Sequence, residues 1–495
     1  LKIMPLKNKI KPGTYVSLSF ILGAMMTIWG CKSGENYVQP DLNLPATFKS
    51  LSNDPSDSSK FDTTNIGKLA WREFFEDSTL VQLIDQGLKN NLYLQQVKKE
   101  TDIANEGYKQ SKANFLPQLT AILEKRDDRY SENSSTRENV KYYENKETPN
   151  QWYLARANNL AAVQSSWEID LWGKLRRIKE ANQAQLRQRE AYTKAVETDL
   201  VAEIATSYYR LLMLKEQKQV AEYNLRLNDS TLSIVNLQYR AGEVSSLAIT
   251  QTESQKLISA SLVPQIEREL EVQKNRLNEL LGEYPEDSLE VVSGLGDTRL
   301  LSEIAVGVPF ELIQNRPDVK AAELALIEAN AQVGVSQAMR YPSLSLSAQL
   351  GYDAINFSDV VNPGSLFGVF VGSLTQPIFQ NRKLKTRYRI SLSERDIAEL
   401  SFREKVLQAV AEISNGMVTI QKLEEEYALA EKRLINARKA VKESYLLFSS
   451  GYATYLEVIN AQSNALDSEL YMVDVKMQML IANIELYRNL GGGWK

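Results

Sequence analysis

From Ser343 the chain alternates with a period of two. Leu344, Leu346, Ala348, Leu350 and Tyr352 fall on one side; Ser343, Ser345, Ser347, Gln349 and Gly351 fall on the other. Successive side chains of a strand point to opposite faces, so this pattern predicts a strand with one apolar and one small, polar face. Such a strand suits a barrel wall between lipid and a wet lumen, or one half-buried sheet of a soluble sandwich. Farther on the period changes. Ile459, Ser463, Leu466, Leu470, Val473, Met477, Leu480, Ile484 and Tyr487 step by four and three residues. That is the seam of a coiled coil. Leu423, Tyr427, Ala430, Leu434, Ala437 and Val441 repeat it one helix earlier, and Val201, Ala205, Tyr208 and Leu212 show it in the first half.

The order of these patterns occurs twice. Pro117 and Pro342 each end a helical lead-in and open an alternating segment, since proline removes a donor and restrains the residue before it. The lead-in of the first copy is a short amphipathic helix, LVQLIDQGLKNN, and a second one over Leu92 to Asn114. Strand pairs are predicted within about 115–169 and about 342–378, their second members near Tyr153 to Ile169 and Leu366 to Ile378. The first pair is joined by a polar connection, Arg126 to Asn150. Two long helices follow. No Pro or Gly lies between Lys174 and Tyr239, and only Gly416 lies between Lys383 and Phe448. At 1.5 Å per residue each reaches on the order of 100 Å. Gly242 and Gly451 mark hairpin tips, because glycine readily takes the left-handed conformation that ends a helix. The return helices are expected to start at about Ser245 and Thr454.

At the front, Lys2, Lys7, Lys9 and Lys11 precede a mostly apolar run from Tyr15 to Trp29, then Gly30 and Cys31. This predicts a secretory signal over residues 1–30. The competing reading is an N-terminal anchor helix, for which the run is short. Cys31 is the only cysteine of the chain, so it has no internal disulfide partner. Its place after Gly30 resembles a bacterial lipobox. That resemblance implies cleavage before Cys31, a covalent lipid on it, and a lipid-anchored mature chain; Trp29 departs from the small residue usual there. The predicted organisation is a lipidated extended arm over 31–75, a first repeat over 76–281, a linker in an equatorial collar over 282–309, and a second repeat over 310–495.

Composition narrows the function. The chain has 495 residues, a net charge of −4 and a pI near 5.5, with no basic balance that would favour nucleic acid. It has no histidine, and its one cysteine is assigned to the lipid. Without a phosphate-binding glycine loop, a metal cluster or a nucleophile elbow, the expectation is no enzyme, no metal and no cofactor beyond that lipid. Four strands per chain are too few to close, since single-chain barrels begin at about eight. Open strand edges cannot sit in lipid. Closure must come from several copies. Three would give a 12-stranded β-barrel continued by a 12-helix α-barrel. The expected fold class is thus an α+β membrane channel, internally duplicated, each copy a strand pair plus a long helical hairpin.

The stretch LIQNRPDVKAAELALIEANAQVGVSQAMRYPSLSLSAQLGY, Leu312 to Tyr352, resembles the RPD-to-PSLSL signature of TolC-like outer-membrane efflux proteins. WREFFEDSTLVQLIDQGLKNN, SWEIDLWGKLRR and the two glycine-containing tips agree with it. The resemblance is to the lipoprotein branch that works with resistance-nodulation-division pumps. It implies a homotrimeric channel-tunnel in outer-membrane lipid that extends into the periplasm. A periplasmic adaptor (membrane fusion) protein and an inner-membrane pump would be its partners. The channel itself would be a passive exit duct for small molecules such as drugs, toxic compounds or metal ions. It also implies that residues just past the second tip form the periplasmic gate, here Glu457 and Asn460. The alternative for Glu457 is a solvated residue at a helix start. Two other functions remain open at this point: an exit duct for secreted protein or peptide, and a pore-less periplasmic coiled-coil scaffold lipoprotein.

Overall fold

The computed structural model describes residues 33–42, 69–130, 154–285 and 315–494. The signal segment, Cys31, most of the predicted linker and most of the polar connection lie outside them. The elements run α1 (Trp71–Phe74), α2 (Ser78–Asn90), α3 (Leu92–Ala113), β1 (Gln118–Tyr130), β2 (Leu154–Ile169), α4 (Lys174–Arg240), α5 (Ser246–Leu281), α6 (Pro317–Ala338), β3 (Ser343–Ala354), β4 (Leu366–Thr375), α7 (Lys383–Ser449) and α8 (Tyr455–Asn489). The chain divides into two compact units, whose boundaries fall inside α3, α4, α6 and α7.

The first unit holds the sheet, with residues 104–185 and 326–398 and the arm up to Gln39. Its strand order is β1-β2-β3-β4, antiparallel throughout. The register sorts the side chains by face. Leu119 pairs with Ser165, Val163 with Leu350, Trp167 with Leu346, Ala348 with Phe370 and Leu344 with Leu374. One residue along, Gln118 pairs with Ser166, Gln164 with Gln349, Ser166 with Ser347, and Ser343 with Thr375. One face is therefore a band of large apolar groups and the other is rich in Ser, Thr and Gln. Leu123 is 88% exposed and Phe370 73% exposed, so among the described residues nothing covers these parts of the band. β4 mixes the pattern, since Val369 and Val371 stand on the polar side. β1 and β4 are the outer strands, each paired along one edge only.

Two strand limits differ from expectation. β1 runs on to Tyr130, through Lys125 to Arg129, of which Arg126 onward had been assigned to the polar connection. The pairing of these residues with Ala155–Asn159 of β2 is made by backbone, so the charged side chains do not interrupt it. β4 stops at Thr375 instead of Ile378. Pro117 immediately precedes β1, and Pro342 immediately precedes β3.

The second unit is helical. α4 and α7 are each 67 residues long. Its main core joins Trp71, Phe75, Leu80 and Ile84 to Val201, Ile204, Tyr208 and Leu211 of α4, Leu277 of α5, and Met477 and Ile484 of α8. Tyr208 is fully buried, and its hydroxyl donates to Asp77 at 2.6 Å. Asp77 in turn caps α2 by accepting from the amides of Thr79 and Leu80. The seam of α8 is buried as the heptad predicts, from Ile459 through Leu466, Val473, Met477 and Leu480 to Tyr487. Part of the packing is polar. Asn224 and Asn228 of α4, Ser259 of α5 and Gln462 of α8 are all buried. The Asn228 amide donates to Ser259 Oγ at 3.0 Å, Ser259 Oγ donates to Asn224 Oδ1 at 2.9 Å, and Gln462 donates to Thr231 at 3.0 Å.

The two faces of the sheet make opposite demands on a new charge. If the apolar band faces lipid as the sequence leads one to expect, Leu350→Arg should destabilise the folded protein by about 2–4 kcal/mol, while Gln349→Arg next to it should change stability little. Denaturant-dependent folding into lipid vesicles measures both; equal costs would mean the faces are not differently solvated.

Candidate functional site

The lower margin of the sheet passes into helix through a set of side-chain bonds. Asp170 caps α4, accepting from the amides of Leu175 at 2.9 Å and Arg176 at 3.1 Å. The Trp172 indole donates to the carbonyl of Pro342 at 2.6 Å, tying the end of β2 to the start of β3. Trp167 does the same for the entrance of β1, donating to the carbonyl of Phe115 at 2.9 Å.

The arm is held in the same unit. Arg177 is fully buried. Its guanidinium donates to the carbonyls of Ser33 at 2.8 Å, Gly34 at 2.6 Å and Glu35 at 3.0 Å, and pairs with Glu180 at 2.9 Å. Gly34 has φ +78°, and a side chain there would lie 2.8 Å from the backbone of Gly334. Gly334 itself leaves the space that Arg177 fills. Nothing in the local sequence announced this clamp, because its partners are backbone carbonyls more than a hundred residues away.

At the far end of each long helix the chain turns back on glycine. Gly242 has φ +79° and Gly451 φ +81°, with open space around each. The amide of Gly242 donates to Tyr239 and that of Glu243 to Gln238; the amides of Gly451 and Tyr452 repeat this to Phe448 and Leu447. These are Schellman-type ends. The return helices begin one residue later than expected, with Ser245 and Thr454 as their N-caps. The two tips pack together through Val235, Ala248, Phe448 and Val458. The Tyr455 hydroxyl adds a bond to Gln251 at 2.5 Å.

Glu457 and Asn460 are both exposed, one turn apart on α8. The Glu457 carboxylate is engaged in a capping box, accepting from the amide of Thr454 at 2.7 Å and from its hydroxyl. The Thr454 hydroxyl and then the backbone donors hold it below the ordinary carboxylate range, so it is ionised at neutral pH. Ala248, its counterpart in the first copy, is buried, so the duplication does not repeat a charge there.

Sequence reasoning treated the RPD run only as a signature; the structure gives it partners. Arg316 is buried and forks onto both Asp318 oxygens at 3.1 and 2.8 Å. It also donates to Glu412 at 2.7 Å and to the carbonyl of Asn489 at 3.1 Å. Lys405 meets Asp318 at 3.2 Å. Burial alone would raise the Asp318 carboxyl, but Arg316 and Lys405 overcome it and hold it down to about 2. Among the described residues no helix is long and apolar enough to cross a membrane, and no cluster of metal-ligating side chains is found.

A sheet with one lipid-suited face, continuous in sequence with helices of this length, defines the barrel-and-tunnel class of channel. The comparisons agree. The family model described as "Outer membrane efflux protein" matches residues 83–283 and 308–492, one stretch for each copy. The Cation efflux system protein CusC of Escherichia coli O6:H1 is 25% identical over 478 residues, covering 95% of this chain and 97% of that protein. Outer membrane protein OprJ of Pseudomonas aeruginosa is 26% identical, covering 98% and 97%. Among solved structures, the outer-membrane channel OprN matches with a TM-score of 0.82 at 24% identity, over 94% of this chain and all of that one. The open MtrE outer membrane channel of Neisseria gonorrhoeae matches with 0.80 at 22%, over 94% and 99%. These two show the shared fold. The chain belongs to the outer membrane efflux protein family. It is an outer-membrane channel of a tripartite efflux system, extends into the periplasm, and is not an enzyme.

The Arg316 fork should be costly to break. Arg316→Ala leaves two carboxylates facing a buried gap and should lower stability by roughly 3 kcal/mol, measured by denaturant unfolding. Because the folded Asp318 carboxyl lies below its ordinary value of 3.8, its contribution is complete above that pH and is lost as pH falls toward about 2. The wild-type advantage over Arg316→Ala should therefore persist at pH 5 and shrink below pH 3.8; an advantage unchanged by acid would exclude this ion pair as its source.

Proposed function

We propose that the chain is a lipid-anchored, homotrimeric exit duct for small molecules, driven by an inner-membrane resistance-nodulation-division pump through a periplasmic adaptor. The observation that carries the trimer is the sheet itself. One apolar face, one polar face and two unpaired edges cannot sit in lipid as a single copy. Three copies give twelve strands, a closed wall with a lumen. The duplicated helices then continue that wall as twelve staves. The residues 1–30, 31–75, 76–281, 282–309 and 310–495 act as signal, arm, first repeat, collar linker and second repeat. The cargo class follows the relatives' names, which include a cation efflux system protein, a pyoverdine export protein and an antibiotic efflux pump protein.

Cys31 carries the lipid in this reading. Support comes from the clamp, which holds Ser33, two residues on, by its amide to the Trp172 carbonyl at 3.1 Å and by its carbonyl to Arg177. Ser33, two residues after Cys31 in sequence, is thereby fixed beside the foot of β2. Native mass spectrometry of the detergent-extracted protein should show three chains, each with a diacylglycerol-type mass increment on Cys31. A monomer with full channel conductance overturns the trimer; a mature chain with an unmodified Cys31 overturns the anchor.

Glu457 and Asn460 form the periplasmic gate in the same reading. Their exposure on one helix face beyond the tip supports it. Three Glu457 carboxylates in one narrow ring attract cations. Glu457→Gln keeps a side chain that can still cap Thr454 but removes the charge. Reversal potentials in asymmetric salt across planar bilayers should show a reduced cation preference in the mutant. An unchanged reversal potential would leave Glu457 as a helix cap alone.

A further inference from the structure

Helix α4 turns two faces to different surroundings within the helical unit. Val201, Ile204, Tyr208 and Leu211 lie in the core that includes Leu80, Leu83 and Ile84 of α2. Ile204 fills the place that a side chain on Gly87 of α2 would occupy. The residues Tyr192, Ala195, Asp199 and Glu203 follow the helical repeat along the opposite face, and they line a cleft of about 1000 Å³. A wall of staves around an open lumen can take an extra layer such as α2 only on its outside. In the closed wall proposed above, the cleft on this face of α4 would open toward the lumen, with Asn91 at the end of α2 on its margin.

The lining combines aromatic rings with charge. Tyr93 and Tyr192 are half-exposed, and their hydroxyls lie 3.0 Å apart, which fixes the two rings side by side. The cleft holds one more carboxylate than cationic side chains. Its cations are mostly saturated. Arg316 and Lys405 are taken up by Asp318 and Glu412, and Arg276 by Glu279 at 2.8 Å and Glu203 at 3.5 Å. Among the described residues the Asp199 carboxylate has one ion-pair partner, the distant Arg488 at 3.8 Å. Burial raises the Asp199 carboxyl above its ordinary value, Asp318 and Glu203 add to this, and Arg488 and Lys405 offset it in part. Negative charge there is under-compensated, yet the side chain is open to the cleft.

We propose that this cleft is a contact site on the lumen wall for aromatic organic cations, the cationic nitrogen resting against Asp199 and the ring against Tyr93 and Tyr192. An ammonium or iminium group gains from the carboxylate by charge and from the ring faces by the cation–π attraction. A cleft of this volume matches a drug-sized ligand. The inference rests on the reading of the chain as an exit duct for small molecules and names the class of molecule that duct favours.

The test uses the full-length channel in lipid nanodiscs and two fluorescent probes. One is ethidium, an aromatic cation. The other is an anilinonaphthalene sulfonate, an aromatic anion. Saturable ethidium binding, read by anisotropy, should weaken about tenfold in Asp199→Asn. It should weaken about threefold in Tyr192→Leu and be largely retained in Asp199→Glu. Binding of the anion should not weaken in any of them. Native mass spectrometry of each variant establishes that it has assembled as the wild type does. Ethidium binding that is equal in wild type and Asp199→Asn overturns the site, as does a wild type that binds the anion more tightly than the cation. Wild-type conductance in planar bilayers reads the duct independently: a channel that binds ethidium through Asp199 but passes no ions keeps the site and removes the duct.

Discussion

The unpaired backbone at the two edges of the four-stranded sheet is the constraint on which the rest depends. Among the described residues, β1 and β4 each leave one row of amides and carbonyls without a partner. Water can satisfy such groups, but hydrocarbon cannot. The apolar band on one face rules out leaving the sheet in water, since Leu123, Leu350 and Phe370 lie open. Band and edges together admit one class of solution, a sheet closed on itself through other copies. The helices inherit that geometry, because α4 and α7 begin only a few residues after β2 and β4. Capping by Asp170 and the bond from Trp172 to Pro342 fix how strand becomes helix.

Duplication lets one solution serve twice, with differences where the copies meet. Both tips end on a left-handed glycine with the same pair of backbone bonds. The position after the turn is not shared. Glu457 caps its own helix from an exposed face, while Ala248 is buried between the tips. A charged residue at 248 would have to be desolvated, so packing, not the repeat, decides that charge appears once per chain.

Much of this was legible in the sequence because local physics enforces it. Pro117 and Pro342 each stand where a helical pattern gives way to an alternating one, and Gly242 and Gly451 mark turns that other residues resist. The heptad of α8 and the alternation of β3 state their buried faces outright. Other features were hidden because their cause is distant in the chain. The end of β1 reads Lys-Arg-Asp-Asp-Arg and gives no strand signal; it is a strand because β2 pairs with it. Arg177 looks like one more cation at a helix start until the arm arrives to fill its donors. The RPD run was legible as a motif but not as an ion-pair fork, since Glu412 and Asn489 lie 96 and 173 residues further along the chain. For Glu457 the place at a helix start was legible, and its bond to Thr454 was not.

The buried amides between α4, α5 and α8 carry a consequence for dimension. A heptad seam of leucines and alanines looks much the same after sliding by one repeat, and such a slide moves a helix end by about 10 Å. Asn224, Asn228, Ser259 and Gln462 fit one another in a single alignment. After a slide each would face an alkyl group with its donors unmet. This layer works as a vernier mark: it fixes how α4, α5 and α8 align, and with them the relative height of the chain's two tips.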